Sequence, residues 1–132
     1  MPVLAQMKMR TGRPRHILVV DDESFVRQSI HILLQGDGYL VHEARSGAEA
    51  LALFEPGKFD MVFTDYLMPE MKGDQLAAAI KQRSPDQPIV LITAFLERFL
   101  SAGRLPDGVD SIICKPFGLD TLRSALARYS SA

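Results

Sequence analysis

The chain lacks tryptophan altogether, has one cysteine, Cys114, and nowhere strings together the roughly 20 apolar residues needed to cross a bilayer. A lone cysteine closes no internal disulfide, so an apolar core must hold the fold, and Cys114 itself reads as a small buried hydrophobe. No stretch at the N-terminus combines a charged start, an apolar segment and a cleavage site, which argues against a secretion signal and makes the cytoplasm the expected compartment. Neither an internal repeat nor a low-complexity tract interrupts the pattern, and no second domain is expected after Tyr129. The 132 residues, 47% hydrophobic and 23% charged, suffice for one soluble domain with a core of its own.

Charge is spread unevenly. Residues 1–15 carry Lys8, Arg10, Arg13 and Arg15 and no acid; setting these four aside leaves 11 of the 15 basic residues against 16 acids, a net charge of −5. A basic arm can touch nucleic acid or an acidic surface, but a short charged tail containing Gly and Pro is more often solvated. Residues 1–14 are therefore read as a flexible arm and residues 15–130 as the folded domain. Beyond the arm there is no recognition helix or basic face, which argues against direct binding of nucleic acid.

From His16 onward, short apolar runs alternate with segments of helical period, the pattern of an α/β fold built from strand-helix-strand units. Ile17–Val20, Met61–Thr64, Ile89–Thr93 and Ile112–Cys114 are near-continuous and β-branched, as central strands covered on both faces should be. Tyr39–Glu43 mixes apolar and polar positions and suits an edge. Val26, Ile30, Leu33 and Leu34 mark a first helix that should stop at Gly36 and Gly38. Ser46 and Glu49 stand at capping-box spacing before a second helix running to Pro56-Gly57. The third should follow Gly73-Asp74, turn Leu76 and Ile80 inward and end before Pro85. A weaker fourth covers about Leu96 to Ala102, and the fifth puts Leu119, Leu122, Leu126 and Tyr129 on one stripe.

In open parallel sheets ligands bind beyond the carboxyl ends of the strands, and here those ends share a chemistry. Strand one ends in Asp21-Asp22-Glu23, strand three in Asp65, strand four in Thr93 and strand five in Lys115-Pro116. Asp60 precedes its strand and falls outside this rim. Gathered carboxylates repel and raise one another's pKa unless a cation is present, so the rim predicts a hard divalent ion held by oxygen, Mg2+ fitting best. A lysine and a hydroxyl opposite the acids suit a phosphoryl group. Each residue alone is explained by a turn, a cap or plain exposure. Their joint placement at four strand ends is not.

These residues resemble the response-regulator receiver family of two-component signalling. The matching motifs are VVDDE at 19–23, TDYLMPEMKGDQL at 64–76, LITA at 91–94 and CKPF at 114–117, in the family's order, and the likeness runs from about Arg15 to Tyr129. It implies a doubly wound five-stranded parallel sheet of order 2-1-3-4-5 with five helices. It also implies that Asp65 accepts the phosphoryl group, that Asp21, Asp22, Asp65 and the Leu67 backbone carbonyl hold Mg2+, that Thr93, Ala94 and Lys115 bind phosphoryl oxygens, and that Lys115-Pro116 is cis. The phosphodonor would be a phosphohistidine on a histidine kinase or a histidine phosphotransfer protein, and the output a downstream protein partner or a second copy of the chain. The domain would catalyse its own phosphorylation and slow dephosphorylation.

Three positions depart from the family's habits. Ile112 stands where an aromatic residue of the fifth strand usually moves with the threonine, which leaves Thr93, Phe117 or a loop to carry the switch. Leu67 and Phe95 are bulky and apolar at positions that influence attack by water, which predicts a long-lived phosphoryl group. An aspartate-nucleophile phosphohydrolase fits less well, because its second aspartate would fall at Leu67. A flavodoxin-like cofactor protein lacks its phosphate-cradling loop after strand one. A scaffold that takes no phosphate is disfavoured by the intact acidic set, while a receiver segment of a hybrid histidine kinase is not separable from a stand-alone regulator. His16, His31 and His42 show no metal-ligand spacing and read as structural or solvent-facing.

Overall fold

The computed structural model describes residues 15–129; the basic arm of residues 1–14 lies outside them. Five strands alternate with five helices: β1 His16–Val20, α1 Ser24–Gly36, β2 Leu40–Ala44, α2 Gly47–Leu53, β3 Met61–Asp65, α3 Gly73–Arg83, β4 Ile89–Thr93, α4 Leu96–Ala102, β5 Ser111–Cys114 and α5 Leu119–Tyr129. All strands are parallel, in the order β2-β1-β3-β4-β5. The expected doubly wound architecture is the one observed.

Alternation of side chains across the sheet divides the core in two. Ile17, Val19, Met61, Phe63, Val90, Ile92 and Ile113 face Ile30 and Leu34 of α1 and Leu122 and Leu126 of α5. Leu18, Val20, Val62, Ile89 and Leu91 face Ala50 of α2, Phe54, and Leu76, Ala77 and Ile80 of α3. β3 and β4 are buried throughout, whereas β2 begins exposed at Leu40 and ends buried at Ala44, as an edge strand should. Burying each Leu or Ile side chain contributes about 2 kcal/mol, so the two layers dominate the stability of the fold.

Helix boundaries follow local chemistry. Gly38, at φ 94°, breaks α1 where the glycines predicted a stop, with its N–H donating to the Gln35 carbonyl. At α2 the predicted capping box is half formed. The Ser46 hydroxyl accepts from Glu49 N–H at 3.0 Å, but the Glu49 carboxylate accepts from Arg45 N–H at 2.7 Å, one residue before the expected partner. α2 also ends at Leu53 rather than reaching Pro56-Gly57, because Phe54 turns to extended backbone (φ −70°, ψ 133°) and buries its ring. α4 contains no buried residue at all.

Cys114 corrects an expectation. It is exposed, with its thiol donating to the Lys115 carbonyl, because β5 spends its inward positions on Ile112 and Ile113 and Cys114 lies at the strand's open end. The histidines are structural as expected: His16 Nδ1 and His42 Nε2 lie 3.0 Å apart, and His31 pairs with Glu43. Asp60 accepts from His16 N–H, at the sheet end opposite the acidic rim.

Candidate functional site

Strand register brings the rim together. Val20 pairs with both Ala44 and Thr64, so Asp21 and Asp65 follow at one level; Asp65 pairs with Ile92 and Thr93 with Cys114, which sets Thr93 and Lys115 beside them. Backbone bonds from Asp21 N–H to Ala44 O and from Lys115 N–H to Thr93 O extend the ladder past the strand ends. Asp22, Asp65, Leu67, Thr93, Ala94 and Lys115 then line one open cleft of about 360 Å³, with Glu23 and Phe95 at its mouth. Of the site residues expected from the sequence, all but Asp21 line this cleft, and the Asp21 carboxylate lies within 4.8 Å of those of Asp22 and Asp65.

Asp21, Asp22 and Asp65 each offer a carboxylate oxygen within 4.8 Å of the others. Asp21 is 1% and Asp65 6% exposed, while Asp22 is open to solvent. The Lys115 ammonium reaches Asp65 Oδ1 at 3.2 Å, Asp21 Oδ2 at 3.4 Å and Glu23 Oε1 at 3.8 Å, one cation facing several acids. Burial and then the charge of Asp21 push the Asp65 carboxyl up to about 6, against the pull of Lys115 and the Tyr66 N–H. Burial likewise raises Asp21, although the Glu23 N–H and Lys115 oppose it. Burial disfavours the Lys115 ammonium, yet Asp21 and Asp65 outweigh it and hold its pKa above the usual lysine value. The site thus has an excess of buried negative charge and an all-oxygen donor set open to water on one side, the environment of a hard divalent cation.

The remaining polar groups are poised rather than bonded to the acids. Thr93, 1% exposed, accepts from Phe95 N–H at 2.9 Å, which leaves its hydroxyl proton to donate. Ala94 is exposed beside it. The Lys115-Pro116 bond is cis, as expected. Ile112 and Phe117 lie on opposite sides of the sheet, packed against the α3 and the α5 layers respectively.

Two supporting residues were not anticipated. Arg27 of α1, 9% exposed, donates to the Asp21 carbonyl at 2.8 Å and pairs with Glu43 of β2 at 2.7 Å. Its place in the first turn of the helix that follows the acidic pair is the only signal the sequence offers. Gly73 opens α3 so close beneath the acceptor strand that a Cβ there would sit 2.1 Å from the Asp65 carbonyl oxygen and 2.8 Å from Leu91. Because the nearest atom is backbone, Gly73→Ala should destabilise the domain by about 3 kcal/mol, read by chemical denaturation. An unchanged midpoint would mean that the β3-α3 turn is softer than its packing indicates.

Known proteins resemble the chain in sequence and fold. The family model of the response regulator receiver domain matches residues 17–127. The chain is 36% identical over 121 residues to transcriptional regulatory protein GlrR of Escherichia coli K12, covering 86% of this chain and 26% of that protein. It is 35% identical over 112 residues to sensor kinase CckA of Brucella abortus, covering 83% of this chain and 12% of that protein. It thus spans about a quarter or less of these two relatives. Among solved structures, response regulator TrrA of Thermotoga maritima, in complex with Mg(2+)-BeF, superposes with a TM-score of 0.76 at 33% identity, covering 87% of this chain and 98% of that one. A receiver domain from Clostridium thermocellum superposes with a TM-score of 0.79 at 31% identity, covering 87% and 93%. Fold, rim and relatives agree: the chain belongs to the response regulator receiver domain family.

Proposed function

We propose that this domain accepts a phosphoryl group from a phosphohistidine onto Asp65 and signals by changing its protein contacts. The observation that carries the reading is the nearly buried Asp65 carboxylate, flanked by Asp21 and Asp22 and touched by the Lys115 ammonium at 3.2 Å. The donor would be a histidine kinase or a histidine phosphotransfer protein, and the setting the cytoplasm. In the transfer, an Asp65 carboxylate oxygen bonds to phosphorus as the bond from phosphorus to the donor imidazole nitrogen breaks, and the freed imidazole takes up a proton.

The residues divide that work. Lys115 offsets charge on the phosphoryl oxygens, and the Thr93 hydroxyl and Ala94 N–H donate to them from the next strand end. Asp21, Asp22, Asp65 and the Leu67 carbonyl would hold Mg2+, which supplies neutralisation of the carboxylates and of the incoming phosphoryl group. Burial raises the Asp65 pKa to about 6 and strips the carboxylate of hydration, so near neutral pH the acceptor is ionised yet poorly solvated and ready to attack. The fused-domain relatives and the isolated receivers are both consistent with output through a partner protein or a second copy.

Leu67 and Phe95, 40% and 45% exposed, stand at the cleft mouth where a hydrolytic water would enter. Neither side chain can orient that water, so the aspartyl phosphate should be long-lived. Leu67→Asn combined with Phe95→Glu is expected to shorten its lifetime about tenfold, less than the roughly 10²- to 10⁴-fold of a fully positioned general base. Decay of the phosphorylated intact mass checks this, and an unaltered lifetime would assign both residues to packing alone.

A further inference from the structure

α4 is the helix least tied to the core. Its seven residues include none that is buried, and Gly103, at φ 75°, ends it after two turns. Two contacts join it to the acceptor site. Phe95, its N-cap, donates its N–H to the Thr93 hydroxyl. Phe99 packs against the core and meets the edge of Tyr66, ring centroids 5.1 Å apart at 87°.

Tyr66 follows the acceptor directly. Its N–H lies 3.0 Å from Asp65 Oδ1 and 3.1 Å from the Ile92 carbonyl, and its own carbonyl accepts from Gly73 N–H at 2.8 Å. The Lys72 ammonium stands 5.8 Å from the ring centre. The Tyr66 peptide is therefore clamped to the carboxylate, while its ring touches the loosest helix. On the same side of the sheet β5 presents Ile112, which with Phe99 and Leu100 lines a groove of about 540 Å³ along α4. The aromatic surface against α4 thus comes from the residue after β3 and not from β5.

We infer that the Tyr66–Phe99 edge-to-face pair couples the chemical state of Asp65 to the position of α4. The inference rests on Asp65 being the phosphoacceptor. An acyl phosphate oxygen accepts less strongly than a carboxylate, so phosphorylation weakens one of the two bonds made by the Tyr66 N–H and shifts that N–H toward the Ile92 carbonyl alone. The change reaches one marginal helix through the Tyr66 ring, and an aromatic pair is strong enough to bias its equilibrium on the order of 2- to 10-fold.

The test is hydrogen exchange of the α4 amides, residues 96–102, in the full chain with and without Mg2+ and beryllofluoride as a noncovalent phosphoryl mimic. The ratio of rates with and without the mimic is read, so a uniformly looser helix does not count. Wild type and Tyr66→Phe, which keeps the ring, should respond 2- to 10-fold; Tyr66→Leu and Phe99→Leu should respond less than 2-fold, and the double variant no less than either. Phe99→Leu should still saturate with the mimic. A wild-type response in both leucine variants, or no α4 response in wild type that binds the mimic, would overturn the coupling alone. Failure of wild type to bind the mimic would overturn the acceptor reading, and the coupling with it.

Discussion

At pH 7 without divalent metal, Asp65→Asn should unfold at higher denaturant than the wild type, with a gain of about 3 kcal/mol or less. The sign follows from the raised acceptor pKa, about 6 in the folded domain against 3.8 for a free aspartate. Below pH 3.8 both states hold the proton and the carboxyl is not penalised. Between about pH 4 and 6 the unfolded chain releases its proton while the folded domain keeps it, so stability falls as pH rises, and above 6 the full loss persists. A shift of roughly two pK units corresponds to about 3 kcal/mol. Asn carries no charge and escapes the loss, so the two proteins should converge below pH 4. Saturating Mg2+ should reverse the order by stabilising the wild type, about 4.1 kcal/mol at one thousand times the dissociation constant. Urea titrations of both proteins from pH 4 to 7, with Mg2+ or with chelator, check this. Parallel curves for wild type and variant would mean that Asp65 is not held in a penalised state.

Lys115→Met should slow phosphorylation by about 10²- to 10³-fold, the usual consequence of removing one preorganised charge-stabilising donor. Its ammonium is the cation that touches both Asp21 and Asp65. Metal binding should move the other way, holding or tightening, because the same ammonium competes with a divalent ion for the carboxylates. Rates from a small-molecule phosphodonor and Mg2+ titrations on the same samples separate the two effects. A variant that loses metal affinity and rate together would instead give Lys115 a structural role in forming the site.

Much of this site was legible because its signals are local and its geometry is inherited from the sheet. β-branched runs located the strands, the parallel register did the alignment, and polar residues at four of the five strand ends sufficed to assemble the rim. Even α4 was legible over Leu96–Ala102, although its period is weak; that the helix buries none of its residues is seen only in the structure. What the sequence hid depends on packing between distant segments. Arg27 reads as a surface residue of an amphipathic helix until Glu43 and the Asp21 carbonyl are brought to it. Gly73 reads as a helix opener until the Asp65 carbonyl appears beneath it. Tyr66 and Phe99, 33 residues apart, gave no joint signal. The exposure of Cys114 and the displaced Glu49 bond turn on a single residue of strand or helix phase, which local pattern does not resolve.

The most direct test of the account is the intact mass of the purified chain after incubation with acetyl phosphate, with Mg2+ or with chelator, for wild type and Asp65→Asn. The account predicts one added phosphoryl group in the wild type with Mg2+, and none after chelation or in the variant. An adduct that survives loss of Asp65 or of the metal would contradict it. So would a wild type that takes up no phosphoryl group even from a phosphorylated histidine protein, which would leave a scaffold that uses this fold without its chemistry.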